Sequence, residues 1–378
     1  MKKRILIALT LIFALCMSTF VFTGCGDPCA NGHEFYYNAE EGVARCIHHE
    51  DVTSPLTFRF NESKAYASVS GIAEGYTGEI EIPSAVSKTK DGDVYPVKRI
   101  EFAALKGSGI TKVTIGTRLE LIMANAFQDC TSLTSIAFRS TQKESPKLEE
   151  IESYAFANTG LASVTLPASV KNVGNYAFEN CAALTSVSMA EGFEDVGSYA
   201  FVGCSALTSV AFPASTTGIG AHAFEGCDKL ASVTFASGCK VTEIRDSSFA
   251  GCTALTSITL PNATTRVLTS AFEGCTSLAN VKLGNATVTI GDSAFRNCTS
   301  IESVFIPDTL TLLGSYSFYG CTSLKTIQFD GRDNTWRNNL AGVDETTQAA
   351  NWNSEDHVVT IACSNKDLQY TGVICTKK

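Results

Sequence analysis

Histidine is scarce in this chain. There are five among 378 residues, and only His222 lies in its repetitive part. A histidine-based acid–base relay therefore has little to draw on. The sequence has no G-x-S-x-G elbow, no H-E-x-x-H signature and no phosphate-cradling glycine loop. Asp and Glu are scattered rather than paired at matching sites, and no repeated Asp-x-Asp run offers a calcium ladder. The expectation is a protein that is not an enzyme and has no resident cofactor. Positive charge is also short, with 29 Lys and Arg against 38 Asp and Glu, a formal net charge of −9. Loss of Lys2, Lys3 and Arg4 would leave the rest more acidic. Such a balance disfavours binding by phosphate attraction, so no nucleic-acid partner is expected. Hydrophobic residues make up 44% of the chain, enough for a large core or a long array and too many for global disorder.

What is present begins with three basic residues and an apolar run over 5–22, the plan of an export signal. The run is also long enough to be an uncleaved membrane anchor. Its end, Phe22-Thr23-Gly24-Cys25, resembles a bacterial lipobox, with Phe22 in place of the usual Leu. The resemblance implies a signal peptide over 1–24 and acylation of Cys25, with two acyl chains giving a stable anchor. Secretion without lipid and an uncleaved anchor are the alternatives. The expected location is outside the cell, membrane-anchored at the cell surface or outer envelope.

A phenylalanine then recurs at nearly fixed intervals: Phe102, Phe127, Phe156, Phe178, Phe201, Phe224, Phe249, Phe272, Phe295, Phe318. Most steps are of 23 residues, a period that signals a solenoid. Six residues after most of them stands an apolar residue such as Leu184. Val187 and Met189, nine and eleven residues after Phe178, alternate as a strand does. Pro167, Pro213, Pro261 and Pro307 follow and end the strand. Two residues after the Phe only Gly, Asn or Asp appear, from Asp129 to Gly320, the residues that tolerate a left-handed backbone. A sharp turn is expected there, after a short helical or 3₁₀ segment carrying Ala-Phe.

Cys130, Cys181, Cys204, Cys227, Cys252, Cys275, Cys298 and Cys321 lie three residues after a Phe. Export favours disulfides. However, each repeat gives one thiol pointing the same way, held near the rung spacing rather than the roughly 3.8 Å Cβ separation a bridge needs. Packing as a small buried residue is the better reading, and Thr159 in the same column fits it. A line of single ligands cannot close a metal tetrahedron.

The pattern A-F-x-[GN]-C-x-x-L-x-x-V-x-L-P, clearest in "VKNVGNYAFENCAALTSV" and "VTIGDSAFRNCTSIESVFIP", resembles the BspA-like leucine-rich-repeat proteins of bacterial surfaces. The resemblance implies a mainly β repeat solenoid: a right-handed leucine-rich-repeat array over 102–329 with short helical or 3₁₀ turns, capped by β hairpins over 56–101 and 330–378. Members are associated with surface attachment and protein binding. The implied function is adhesion, with an unidentified protein ligand such as a host extracellular protein, and a membrane reached through the lipid. The alternative is a structural envelope lipoprotein with no specific ligand.

Residues 25–55 stand apart as a tether or small module. Cys29, His33, Cys46 and His48 or His49 have spacing that suits tetrahedral zinc. A Cys29–Cys46 disulfide and an unpaired tether above the lipid are the other readings.

Two sets of exposed residues are candidate ligand sites. Tyr154, Tyr176, Tyr199 and His222 each precede a Phe by two residues. They are expected to form a partly exposed aromatic strip, acting either as stacked scaffold or as a protein contact. The outward strand positions are mostly Ser and Thr, which stabilise a stacked sheet. Lys282, Glu302, Phe305, Lys325 and Gln328 bring charge and one aromatic to the last repeats.

Overall fold

The computed structural model describes residues 35–38, 43–46, 53–329, 360–363 and 371–374. The expected signal over 1–24, Cys25, Cys29, His33 and His49 lie outside the described residues, as do Trp336 and Trp352.

Between Leu105 and Phe318 the chain winds ten turns of a β-solenoid. Alternation builds the first ladder. In Ser186–Ser188, Val187 points inward while the serines face out. Equal column spacing stacks such strands in parallel register, so that Ser209, Val210, Ala211 and Phe212 lie beside Ser232, Val233, Thr234 and Phe235. A second ladder consists of two-residue strands, including Glu150–Ile151, Asn172–Val173, Asp195–Val196 and Gly218–Ile219.

The third ladder replaces the expected helical turns. No helix occurs among the described residues. Instead, two residues per turn are left-handed, four positions apart: Tyr176 at φ 58° and Asn180 at φ 54°, for example. A right-handed helix cannot pass through either. The N–H groups alternate in direction. Those of Tyr176, Phe178 and Asn180 donate to the carbonyls of Ser198, Ala200 and Val202 on the next rung at 3.0, 2.8 and 2.9 Å. Those of Ala177, Glu179 and Cys181 close tight turns onto Gly174, Tyr176 and Phe178. Every donor is satisfied without a helix.

The core is a column of rings. Phe127 to Phe318 stack with centroids 4.9–5.5 Å apart and planes within 7°. Each is buried, contributing roughly 1.5–3 kcal/mol by transfer from water. Phe102 does not belong to this column. It is 65% exposed, and Leu105 takes the place. The two left-handed residues of that turn are Ala103 and Gly107, which centres the turn on Leu105 rather than on Phe102. A lead based on ring identity alone assigns the wrong residue.

The cysteines are buried free thiols that do more than pack. Cys181, Cys204, Cys227, Cys252, Cys275, Cys298 and Cys321 each donate to the carbonyl of the core Phe one rung back, at 3.1–3.3 Å. Cys130 donates to Leu105 at 3.0 Å. Thr159 fills the same column, donates to the Phe156 carbonyl and lies 3.2 Å from the Cys181 sulfur. The column therefore selects a small side chain with one donor.

At the amino-terminal end, Leu56–Asn61 and Tyr66–Ile72 form a hairpin, and Tyr66–Ile72 runs parallel to Val94–Ile100. Phe35–Asn38 pairs with Val43–Cys46 and with Ala85–Ser87, which pairs with Val94–Ile100. At the other end Thr360–Cys363 adds in parallel to Thr326–Phe329 and pairs antiparallel with Thr371–Ile374.

Candidate interaction surface on the turn ridge

The left-handed position two before each core ring forms a ridge along the solenoid. It holds Asn125, Tyr154, Tyr176, Tyr199, His222, Ser247, Ser270, Ser293 and Tyr316, all at φ between 51° and 60°. A tyrosine there is strained by roughly 1–3 kcal/mol. Stacking offsets part of this. Tyr154 and Tyr176 lie 4.7 Å apart, Tyr176 and Tyr199 4.6 Å, Tyr199 and His222 4.4 Å, all within 3° of parallel. All four are half-buried. The strip is about 14 Å long. Its backbone strain left no signal in the sequence, because Ser and Tyr are not residues that announce a left-handed turn.

Glutamates flank the rings. His222 Nδ1 lies 2.7 Å from Glu225 Oε2. Partial desolvation, with Tyr154, Tyr199 and Glu179 nearby, pushes the Tyr176 phenol above its usual value. In the later turns Ser270 donates to Glu273 at 2.7 Å, and Tyr316 and Tyr319 meet edge to face.

The second candidate set sits elsewhere, on the strand face of the last turns. Register aligns Lys282 with Phe305 and Phe305 with Gln328. Phe305 is 45% exposed. Lys325 and Glu302 pair at 3.4 Å while largely exposed, a contact worth about 0–1 kcal/mol. These residues and the tyrosine strip are two separate patches.

Of the suggested zinc ligands only Cys46 is described. It is fully buried on Val43–Cys46, opposite Phe35. Among the described residues no group of three or more His, Cys, Asp or Glu is placed to hold a metal ion, and no helix is long and apolar enough to cross a membrane.

The model of the BspA-type leucine-rich-repeat region matches residues 98–230, 144–254 and 242–340 in six copies. This chain belongs to the BspA-type leucine-rich-repeat family. The family model describes a repeat region and names no reaction. Its repeats span the ridge, the thiol column and the strand face alike. Solved structures with similarity include the pneumococcal vaccine antigen PcpA, 17% identical over 86% of this chain and 94% of that one, with a TM-score of 0.49. A leucine-rich cell surface protein from Faecalibacterium prausnitzii is 20% identical over 82% and 94%, at 0.42. A leucine-rich-repeat protein from Bacteroides capillosus is 31% identical over 36% and 95%, at 0.31. No curated protein matches the chain.

Later BspA-type repeats of this chain already carry Ser on the ridge. The double variant Tyr176→Ser, Tyr199→Ser is therefore expected to stay folded. It loses three stacked contacts at about 0.5–1.5 kcal/mol each, so a thermal melt should show a cooperative transition at reduced temperature. A molten circular-dichroism profile would contradict the scaffold's independence from the rings.

Proposed function

We propose that this BspA-type protein is exported, anchored through Cys25, and uses its turn ridge to bind another protein in adhesion to host or neighbouring cells. The carrying observation is the half-exposed tyrosine strip. Tyrosine is enriched at interface centres. Stacking and the ladder of N–H bonds hold these rings in place, so little side-chain freedom remains to be lost on docking. Family membership supports the same reading.

The test is a pull-down with the chain from residue 26 onward, comparing wild type with the Tyr176→Ser, Tyr199→Ser double variant. Loss of a saturable partner in the variant is the expected result. The competing reading is a structural envelope lipoprotein, and it draws on the fact that the ring faces are consumed within the stack. It expects no saturable partner, or full retention of binding by the double variant.

Anchoring is tested separately. A fatty-acid analogue should label the wild type and partition it to membranes, and Cys25→Ser should abolish both. Labelled, membrane-bound Cys25→Ser protein would remove Cys25 from the anchor.

A further inference from the structure

The tyrosine strip sits in a field of one sign. On the turns carrying Tyr154, Tyr176, Tyr199 and His222, the columns leading into the ridge hold Glu149, Glu150, Glu152, Glu194 and Asp195. The columns leading out hold Glu179 and Glu225. Against these stands Lys171 alone. Register sets Glu150, Asn172 and Asp195 in one line on the ladder that leads into the ridge. Glu150, Glu179 and Glu194 make no ion pair among the described residues.

The following turns differ in both respects. Their ridge residues are Ser247, Ser270 and Ser293, and arginines answer two of the four flanking acids, Arg266 with Glu243 at 3.0 Å and Arg296 with Glu273 at 3.6 Å, while Asp246 and Asp292 make no ion pair among the described residues. Aromatic surface and a strong excess of negative charge thus coincide on one half of the ridge, whereas the next carries serines and a near balance of acids and arginines. A purely structural ring stack has no need of that coincidence, since carboxylates around it repel one another.

Parallel stacking covers the inner ring faces, which leaves ring edges and phenol oxygens outward and free faces only at Tyr154 and His222. A cation cannot rest over the middle of the strip. Long basic side chains can lay their methylene stems along the ring edges and carry their charges to the carboxylates on either side. We propose that the strip is the docking site for a basic, extended segment of a partner protein, rich in Arg and Lys. The assignment rests on the protein-binding reading above and names the chemistry of its ligand. A strip of about 14 Å accommodates about four residues of extended chain at ~3.3 Å each.

The test uses the whole exported chain and a fluorescein-labelled nona-arginine peptide, with nona-glutamate and Gly-Ser peptides as controls. Fluorescence polarisation should show saturable binding of nona-arginine only, weakening as salt rises. The triple variant Glu150→Gln, Glu179→Gln, Glu194→Gln should weaken it at least tenfold, and Tyr176→Ser, Tyr199→Ser about fivefold. Glu243→Gln, Asp292→Asn, on the serine half, should leave it unchanged. Absence of saturable binding at low salt overturns the proposal. So does equal weakening by the serine-half variant, which would show attraction to net charge alone. If the tyrosine variant abolishes capture of a partner that nona-arginine cannot displace, protein binding stands and the basic segment falls. If that variant leaves capture intact, both fall.

Discussion

Phe224→Ala is expected to lower the unfolding free energy by about 3–5 kcal/mol. Phe224 is fully buried, stacked 5.2 Å from Phe201 and 5.4 Å from Phe249, with Phe212 edge-on at 5.9 Å. Its neighbours cannot close the resulting cavity, because each rung is fixed by backbone bonds: Phe224 N–H to the Ser248 carbonyl, and Phe201 N–H to that of Ala223, both at 2.8 Å. Stability in such arrays is a sum over turns and their interfaces. A hole in a central turn weakens the interfaces on both sides, so urea unfolding followed by circular dichroism should shift to lower midpoint and broaden. Phe102→Ala is the internal control. That ring is exposed, and its loss should change stability by no more than about 0.5 kcal/mol. A Phe224→Ala curve superimposed on wild type would refute the ring column as the source of stability. A large loss in Phe102→Ala would return that residue to the core.

That contrast shows where the sequence was legible. The solenoid, the inward Val and Leu columns, and the Gly/Asn/Asp bend all follow from period and residue type, because each column has one burial requirement repeated at every turn. The identity of the first core residue did not follow. Position in the turn is set by the pair of left-handed residues, and Ala103 gives no hint of being one of them. The same hidden feature made a helical turn the natural expectation for Ala-Phe. The tyrosine strip was legible as a column, since equal spacing puts equal positions one above another. The charge around it needed the register of the two-residue strands, which sets Glu150 and Asp195 in one column of the ladder leading into the ridge. Strands of two residues are too short to show a period. The thiol column was read as packing, and packing alone does not explain why Thr159 and not Ala or Val replaces Cys. A carbonyl within reach explains it: Thr159 donates to Phe156 of its own turn, the same carbonyl that accepts from Cys181 of the next.

Four of those thiols, Cys227, Cys252, Cys298 and Cys321, make the fold sensitive to alkali. Burial pushes Cys227 and Cys321 up to about 12, and burial likewise raises Cys252 and Cys298 well above the ordinary value of 9.0. In the unfolded chain the same thiols ionise near that ordinary value. Below it both states are protonated and the thiols' contribution is fully present. From pH 9 to about 12 only the unfolded chain releases protons, so stability falls as pH rises. One pKa unit corresponds to about 1.36 kcal/mol. Cys227 and Cys321 should each withdraw roughly 1.4 kcal/mol by pH 10 and about 4 kcal/mol by pH 12. The urea midpoint should therefore be flat from pH 7 to 8.5 and fall steeply above 9, and Cys227→Ala should reduce the slope. Iodoacetamide gives a second readout. At pH 8 a thiol with a pKa near 12 holds about a thousandfold less thiolate than one at 9, before burial blocks the reagent. Native Cys227, Cys252, Cys298 and Cys321 should stay unlabelled for hours and label together as urea unfolds the array. Stability that is level from pH 8 to 10.5, or native labelling at the rate of a free thiol, would mean that the column is open to solvent and its sulfurs are not bonded to the phenylalanine carbonyls.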